Sequence, residues 1–260
     1  MKLYVLDLGK IVMMGDNPVT KDESENPAIP IHAFLLDTPA GYVLFDTGCH
    51  PQAMEGAWAE ELRGNPYIPG EHGSVPERLA ELEIRSEEIS AVVLSHLHLD
   101  HAGGAHFFPQ AKIYVQQEEL EHVMADQEKG SLSAFHQKCD LDNWAQAHLR
   151  WVPVSAGVRE LPLCPGVTIV NLGPGHSYGM LGLLVELESG NYLLVADAVY
   201  SRAHYEPLPQ LSGVVYDEKG YFDTVEFLRQ YAAEHHAELL FGHDMQQFQS
   251  LKKSAEGFYQ

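Results

Sequence analysis

The sequence is poor in cysteine, in positive charge and in long apolar runs. Cys49, Cys139 and Cys164 are its only cysteines. They are too few and too scattered for a disulfide framework or a Cys-rich zinc site, and an odd number fits a reducing compartment, with cytoplasm as the default. Each reads as a small buried residue. Lysine and arginine together number 16 against 37 aspartates and glutamates, a formal net charge of −21. Such a surface repels polyanions, which argues against nucleic acid and membrane surfaces and favours a neutral or cationic substrate. The run after Met1, KLYVLDLGKIVMMGD, meets polar residues too soon to cross a bilayer and lacks a clear small-residue cleavage site. It reads as a first strand. No solenoid-length repeat, low-complexity tract or linker divides the chain, so residues 1–260 read as a single domain.

Histidine, by contrast, is plentiful at 15 residues, and residues 95–104 read SHLHLDHAGG. His96 and His98 lie two apart, so on an extended strand end both imidazoles leave from the same side and can share one ion. Asp100 and His101 follow, and Gly103-Gly104 suggests a tight turn or close packing where the strand gives way to a helix. One loop of this kind could serve two metals. The alternative, a polar surface loop in a histidine-rich chain, does not account for the spacing, the glycines and the further donors at distant strand ends.

The remaining pattern places those donors. IHAFLLDT and GYVLFDTG flank a short turn at Pro39-Ala40 as a hairpin. SVPERLAELEI at 74–84 carries Ser74 and Glu77 as a capping box, Pro76 in the first turn and a Val75, Leu79, Leu82 stripe, a helix signature. AVVLS at 91–95 and KIYVQ at 112–116 are short strands, with a helical stretch from Gln117 to about Asp126. In the second half GVTIVNL, MLGLLVEL and NYLLVADA read as strands, DTVEFLRQYAAEHH as a helix and ELLFGH as a last strand. Sheets in both halves, each covered by helices, make an α/β protein of two packed sheets inside two helical layers. His176 follows VNLGPG, Asp197 lies in LLVADA and His243 ends LLFGH. All three could meet the opening loop at one edge. Five imidazoles and two carboxylates (His96, His98, Asp100, His101, His176, Asp197 and His243) suit a pair of borderline divalent ions, zinc first, with iron, manganese or cobalt acceptable to the same donors.

SHLHLDHAGG, with GPGHSYG, ADAVY and FGHD in order behind it, resembles the HxHxDH signature and later ligand motifs of the metallo-β-lactamase superfamily over nearly the whole chain. Within that superfamily the sequence is most similar to the quorum-quenching N-acyl-homoserine lactonases, because Tyr200 lies three residues after Asp197 and the terminal ligand sits in FGHD. The resemblance implies an αββα sandwich of two mixed sheets. It implies that His96, His98 and His176 hold one metal, that Asp100, His101 and His243 hold the other, and that Asp197 bridges them. Asp46, in FDTG, would steady the metal loop from behind. The implied reaction is opening of a lactone ring by a hydroxide available between the two cations. Tyr200 would donate a hydrogen bond toward the substrate's developing oxyanion, and Asp100 would carry the proton to the leaving alcohol.

The irregular segments MMGDNPVTKDESENPAIP and HPQAMEGAWAEELRGNPYIPGEHG hold Met13, Met14, Trp58, Tyr67 and Ile68, candidates for an apolar wall against an acyl chain. The stretch from Lys129 to Trp151 reads as helical around SAFHQKCDLDNWAQAH, with no role legible in it. Hydrolysis of a different lactone, or of a thioester as in glyoxalase II-like enzymes, uses the same metal chemistry and stays open. RNA-processing phosphodiesterases share the first motif, but they, like the thioesterases, act on anionic substrates that basic patches would serve. A di-iron redox module would leave Tyr200 unexplained and would call for a flavin domain that the sequence does not display. The implied partner is a small-molecule lactone, with neither nucleic acid nor membrane, and a homodimer is among the assemblies left open.

Overall fold

The computed structural model describes residues 1–13 and 28–260. Its strands are β1 (Lys2–Val12), β2 (Ala28–Thr38), β3 (Gly41–Phe45), β4 (Tyr67–Pro69), β5 (Ile89–Val93), β6 (Lys112–Gln116), β7 (Arg150–Val154), β8 (Glu160–Cys164), β9 (Val167–Gly173), β10 (Met180–Leu187), β11 (Gly190–Ala196) and β12 (Ala237–Phe241). The helices are α1 (Val75–Glu81), α2 (Gln117–Lys129), α3 (Lys138–Gln146), α4 (Arg202–Tyr205), α5 (Glu218–Glu234) and α6 (Met245–Ser250). No helix among the described residues is long and apolar enough to cross a membrane.

The strands form a seven-stranded sheet in the order β4-β1-β2-β3-β5-β6-β7 and a five-stranded sheet in the order β12-β11-β10-β9-β8. Both are mixed. In the first, β1, β2 and β3 run antiparallel while β3, β5, β6 and β7 run parallel. In the second, only β11 and β12 are parallel.

Alternation along each strand sorts the core into three layers. Leu3, Val5, Phe34, Leu36, Val43 and Phe45 face Ile169, Leu181, Leu183, Leu194 and Leu240 between the sheets. The opposite face of the larger sheet (Leu35, Leu44, Val92, Ile113) packs on Val75 and Leu79 of α1, Val123 of α2 and Trp144 of α3. The outer face of the smaller sheet, with Val170, Leu184 and Leu193, packs on Tyr221, Val225 and Leu228 of α5. The result is the αββα sandwich expected from the alternation of strands and helices.

Local signals were obeyed where they were strong. Thr38 pairs with Gly41 across the Pro39-Ala40 turn, and Glu77 accepts from the backbone N–H of Ser74 at 3.0 Å to open α1. Several elements depart from the sequence reading. β2 begins at Ala28, and α5 begins five residues before Asp223, because Tyr221 is fully buried against the sheet and the first turn continues through Gly220 despite its low helix propensity. No long helix follows the glycine pair; Ala105–Phe107 form a single 3₁₀ turn. β7 and β8 carry half-exposed patterns too weak to stand out from a loop. All three cysteines are free, but only Cys49 is fully buried; Cys139 and Cys164 are half-buried.

Helix α3 also carries a carboxyl at a costly position. Asp140 is 1% exposed, and burial pushes its carboxyl up to about 7. Between about pH 4 and that value the unfolded chain gives up a proton that the folded chain keeps, so this group's contribution to stability falls as pH rises through the window. Asp140→Asn should therefore raise the unfolding free energy measured in urea at pH 8, by up to about 4 kcal/mol, and change it far less at pH 4. An equal effect at both pH values would contradict this account.

Candidate metal centre

Because β3 and β5 are parallel, as are β11 and β12, while β9 runs antiparallel to the intervening β10, the C-terminal ends of all five strands reach one edge of the sandwich. Asp46 follows β3, His96 to His101 follow β5, His176 follows β9, Asp197 follows β11 and His243 follows β12. The two sheets are tied there by the Leu181 N–H, which donates to the Ser95 carbonyl at 2.8 Å. All seven expected donor residues converge. The ligand atoms of His96, His98 and His176 lie within 4.8 Å of one another, as do those of His96, His101 and Asp197, and those of Asp100, His101 and His243.

Hydrogen bonds behind the imidazoles fix which nitrogen faces inward. His101 Nδ1 donates to Asp46 Oδ2 at 2.8 Å, His176 Nδ1 to the Val214 carbonyl at 2.8 Å and His243 Nδ1 to the Pro30 carbonyl at 3.2 Å. Ser95 Oγ donates to Asp46 Oδ2 at 2.9 Å and so accepts from His96 Nδ1, also at 2.9 Å. Each of these four residues is left with its Nε2 directed at the common centre, as the nitrogen free to bind an ion. His98 turns its Nδ1 there, 2.9 Å from His176 Nε2, which is in turn 3.2 Å from His96 Nε2. Burial first, then the neighbouring imidazoles, pushes His96 and His98 well below the usual histidine range.

The Nε2 lone pairs of His96 and His176 face one another and a single hydrogen on His98 Nδ1 can serve only the nearer, so hydrogen bonds do not satisfy all three rings. A cation between them satisfies all three. The second cluster gives the same answer from the acidic side. His101 Nε2 and Asp197 Oδ1 face each other at 3.2 Å, yet both are buried without a hydrogen-bond partner. Asp197 Oδ2 lies 3.0 Å from His243 Nε2 and 3.4 Å from His176 Nε2. Burial pushes His101 down, but the carboxylates of Asp197, Asp100 and Asp46 outweigh it and hold this imidazole well above its usual range. This concentration of orphaned donors, with two carboxylates among histidines, fits a dinuclear metal centre.

Close packing makes the arrangement possible. Asp46 is in the left-handed region (φ 62°), and its Oδ1 accepts from the Ser95 N–H at 2.7 Å. Thr47 holds the His101 carbonyl through its N–H (2.7 Å) and Oγ1 (2.9 Å). The glycine pair serves close approach rather than a special turn, since a Cβ on Gly103 would lie 2.3 Å from the His50 nitrogen and one on Gly104 2.5 Å from the Thr47 oxygen. The 129–151 segment backs the metal loop. Trp144 Nε1 donates to the Ala102 carbonyl at 3.2 Å, and the Leu99 N–H to the Phe135 carbonyl at 2.9 Å.

A cavity of about 90 Å³ opens on this cluster, lined by Asp100, Asp197, His98, His243 and Tyr200 on one side and by Ile11, Met13, Ile29, Trp58, Leu62 and Phe135 among its apolar residues. Among the described residues no lysine or arginine lines it. Tyr200 packs edge-on against His176 and His243 at 5.3 and 5.1 Å between ring centres. Burial, then the charges of Asp197 and Asp100, raises its phenol well above the usual range, which keeps it a donor.

Met13 and Trp58 thus line the cavity as the sequence suggested, while Met14 lies outside the described residues. Tyr67 and Ile68 do not line it. The Tyr67 ring is buried, with its hydroxyl donating toward the Leu8 carbonyl at 2.6 Å and lying 2.9 Å from that of Gly73, which makes it a core residue of the β1 edge. Ile68 is 45% exposed. Phe135, Leu62 and Val214 were missed because none carries a motif: Leu62 sits in a 3₁₀ turn, Glu60–Gly64, Val214 in a loop, and Phe135 in a stretch that reads as helical but precedes α3, which begins at Lys138. Leu99, set inside the histidine motif between two donors, carried a positional signal.

The fold and the donor set together define an αββα protein built around a metal-binding strand edge. The metallo-beta-lactamase superfamily profile matches residues 27–243, and the chain belongs to that superfamily. Among curated relatives, it is 39% identical to the N-acyl homoserine lactonase AiiB of Rhizobium rhizogenes and equally to that of Agrobacterium fabrum, with 100% of this chain and 99% of each relative aligned. Among solved structures, an N-acyl homoserine lactone hydrolase with N-hexanoyl-L-homoserine bound at its catalytic metal centre superposes with a TM-score of 0.80 at 24% identity, covering 99% of this chain and 98% of that one.

The packing of β12 against Asp197 gives a test at this edge. A Cβ on Gly242 would lie 2.3 Å from Asp197 Oδ1 and 2.9 Å from the Ala196 oxygen. Gly242→Ala should cost about 1–3 kcal/mol in urea unfolding and lower the metal content of the purified protein with it. Wild-type stability and metal content in this variant would show that the Asp197 carboxylate is not held by this contact.

Proposed function

We propose that the chain is a dinuclear metal-dependent hydrolase that opens the lactone ring of N-acyl-homoserine lactones, and that residues 1–260 act as one domain. In this reading His96, His98 and His176 would hold one divalent ion, Asp100, His101 and His243 would hold the other, and Asp197 would be shared between them. Zinc is the first expectation for a set of five imidazoles and two carboxylates. When bound, two such ions supply a water acidic enough to attack near neutral pH and polarise the carbonyl it attacks.

The observation that carries the substrate class is the cavity. Among the described residues it joins four donor residues and a phenol to an apolar wall with no lysine or arginine, which suits a neutral ester with a hydrocarbon tail better than an anionic thioester or phosphodiester. An adjoining cleft of about 550 Å³ shares Trp58 and Leu62 with it, giving an acyl chain room beyond the ring. The curated relatives named as N-acyl homoserine lactonases support the same choice.

The residues divide the work by position. Tyr200, a phenol on the cavity wall, donates a hydrogen bond to the carbonyl oxygen as negative charge develops there, where a fixed donor gains most. Asp100 is the least buried of the seven donors, with its side chain 13% exposed. Its carboxylate oxygen accepts the proton released on attack and passes it to the departing ring oxygen. The apolar wall of Trp58, Leu62 and Phe135 orients the acyl chain and excludes water from its side. The three free cysteines fit a reducing compartment, and we place the enzyme in the cytoplasm with quorum quenching as its effect.

Tyr200→Phe keeps the ring and its packing and removes only the donor. At equal metal content, kcat/KM for an acyl-homoserine lactone should fall at least about tenfold, or 1.4 kcal/mol, with the fold and metal content unchanged. Equal efficiency of the two proteins would make Tyr200 a packed aromatic. Wild-type inactivity on the homoserine series with turnover of an unrelated lactone would overturn the substrate and leave the dinuclear hydrolase standing.

A further inference from the structure

Glu119 is a carboxylate with no exposed surface, in the first turn of α2, and none of the chemistry above uses it. Its own N–H is capped by Gln116 Oε1 at 2.9 Å. Its carboxylate reaches two separate loops. Oε1 accepts from the Leu97 N–H at 2.9 Å, between His96 and His98. Ser177 Oγ, next to His176, donates to the same carboxylate, at 2.9 Å from Oε1 and 2.7 Å from Oε2. Oε2 also accepts from the Gly179 N–H at 3.1 Å. His136 Nε2 stands 3.6 Å from Oε1, too long for a hydrogen bond. Leu97 and Ser177 are themselves buried, at 1% and 3% exposure.

All of these hydrogen-bond contacts are donors, and they come from loops 58 to 60 residues apart from Glu119 on one side and 22 on the other. A buried carboxylate retained at such a position needs several donors to offset its desolvation, and a helix N-terminus adds a favourable dipole. We infer that Glu119 is a positioning residue, a clamp that fixes the 96–98 loop and the 176–179 loop at the spacing in which His96, His98 and His176 converge. The inference rests on the dinuclear reading. Its selectivity is what separates it from general packing, because none of the Glu119 contacts reaches the loops that carry Asp197 or His243. Asp46 and Thr47 hold His101 independently.

Glu119→Gln tests it. The amide is the same size, but its NH2 must face one of the N–H or O–H donors, so one loop is released. Metal-free wild type and variant are titrated with Co2+ and followed by visible absorption, and the two dissociation constants are resolved. To assign the sites, the same titration is run on His101→Ala and on the Glu119→Gln, His101→Ala double variant. The clamp predicts that the constant for the ion left in His101→Ala rises about tenfold or more with Glu119→Gln. The other ion's constant in the Glu119→Gln single variant should change less than twofold, and the urea midpoint of the metal-free protein little. Ser177→Ala removes one of the clamp's contacts and should shift the same site in the same direction by less. If Glu119→Gln does not fold, Ser177→Ala decides the question. Unchanged constants, or equal weakening of both sites, would overturn the clamp while the wild type still bound two ions. Fewer than two ions in the wild type would instead overturn the dinuclear reading on which the clamp rests.

Discussion

Everything at the strand edge depends on lone pairs that have nowhere to go. Buried imidazoles ordinarily arrange one nitrogen as donor and one as acceptor so that both are satisfied. Here the donor nitrogen of His96, His101, His176 and His243 is committed outward, to Ser95, Asp46, Val214 and Pro30. What remains inward is a set of bare nitrogens about 3 Å apart, with the Asp197 carboxylate among them. In so dry a site the facing lone pairs of His96 and His176 and the negative charge of Asp197 and Asp100 favour a cation, and that makes the site a cation trap.

Such a trap can be held only by a rigid frame. Two sheets supply it by ending five strands at one edge, so that donors far apart in sequence meet without long loops. Gly103, Gly104 and Gly242 let backbone approach backbone where any side chain would collide. On the larger sheet, α2 and α3 reach the metal loop through Glu119 and Trp144. On the smaller sheet, the His243 N–H donates to the Tyr200 carbonyl at 2.8 Å, so the phenol and the last donor are positioned together. The chemistry proposed for the cavity therefore inherits its geometry from the packing of both layers.

The donor set was legible in the sequence because its signal is local. His96, His98, Asp100 and His101 lie within six residues, and His176, Asp197 and His243 each follow a run of apolar strand residues. The layered fold was legible for the same reason, from strands such as β10, buried on nearly every position, and β11, buried along its second half. What could not be read were relations between distant segments. Tyr67 looked like a cavity aromatic, yet its hydroxyl is taken by carbonyls of β1 and of the Gly73 turn. Phe135 falls in a stretch that reads as helical, yet it lies in a turn before α3, and its carbonyl holds Leu99 beside the histidines. Glu119 carries no signal in the sequence beyond its place near a helix start, and only the tertiary fold turns it toward Leu97 and Ser177.

The central claim is that one carboxylate, Asp197, stands between two ions. Elemental analysis of purified wild type and Asp197→Asn, prepared side by side with excess divalent metal and then desalted, tests it most directly. Asparagine keeps the shape and removes the charge that two adjacent cations require. The account predicts close to two ions per chain in the wild type and a clear loss in the variant, with lactone hydrolysis falling in step. Two ions retained in Asp197→Asn would contradict it.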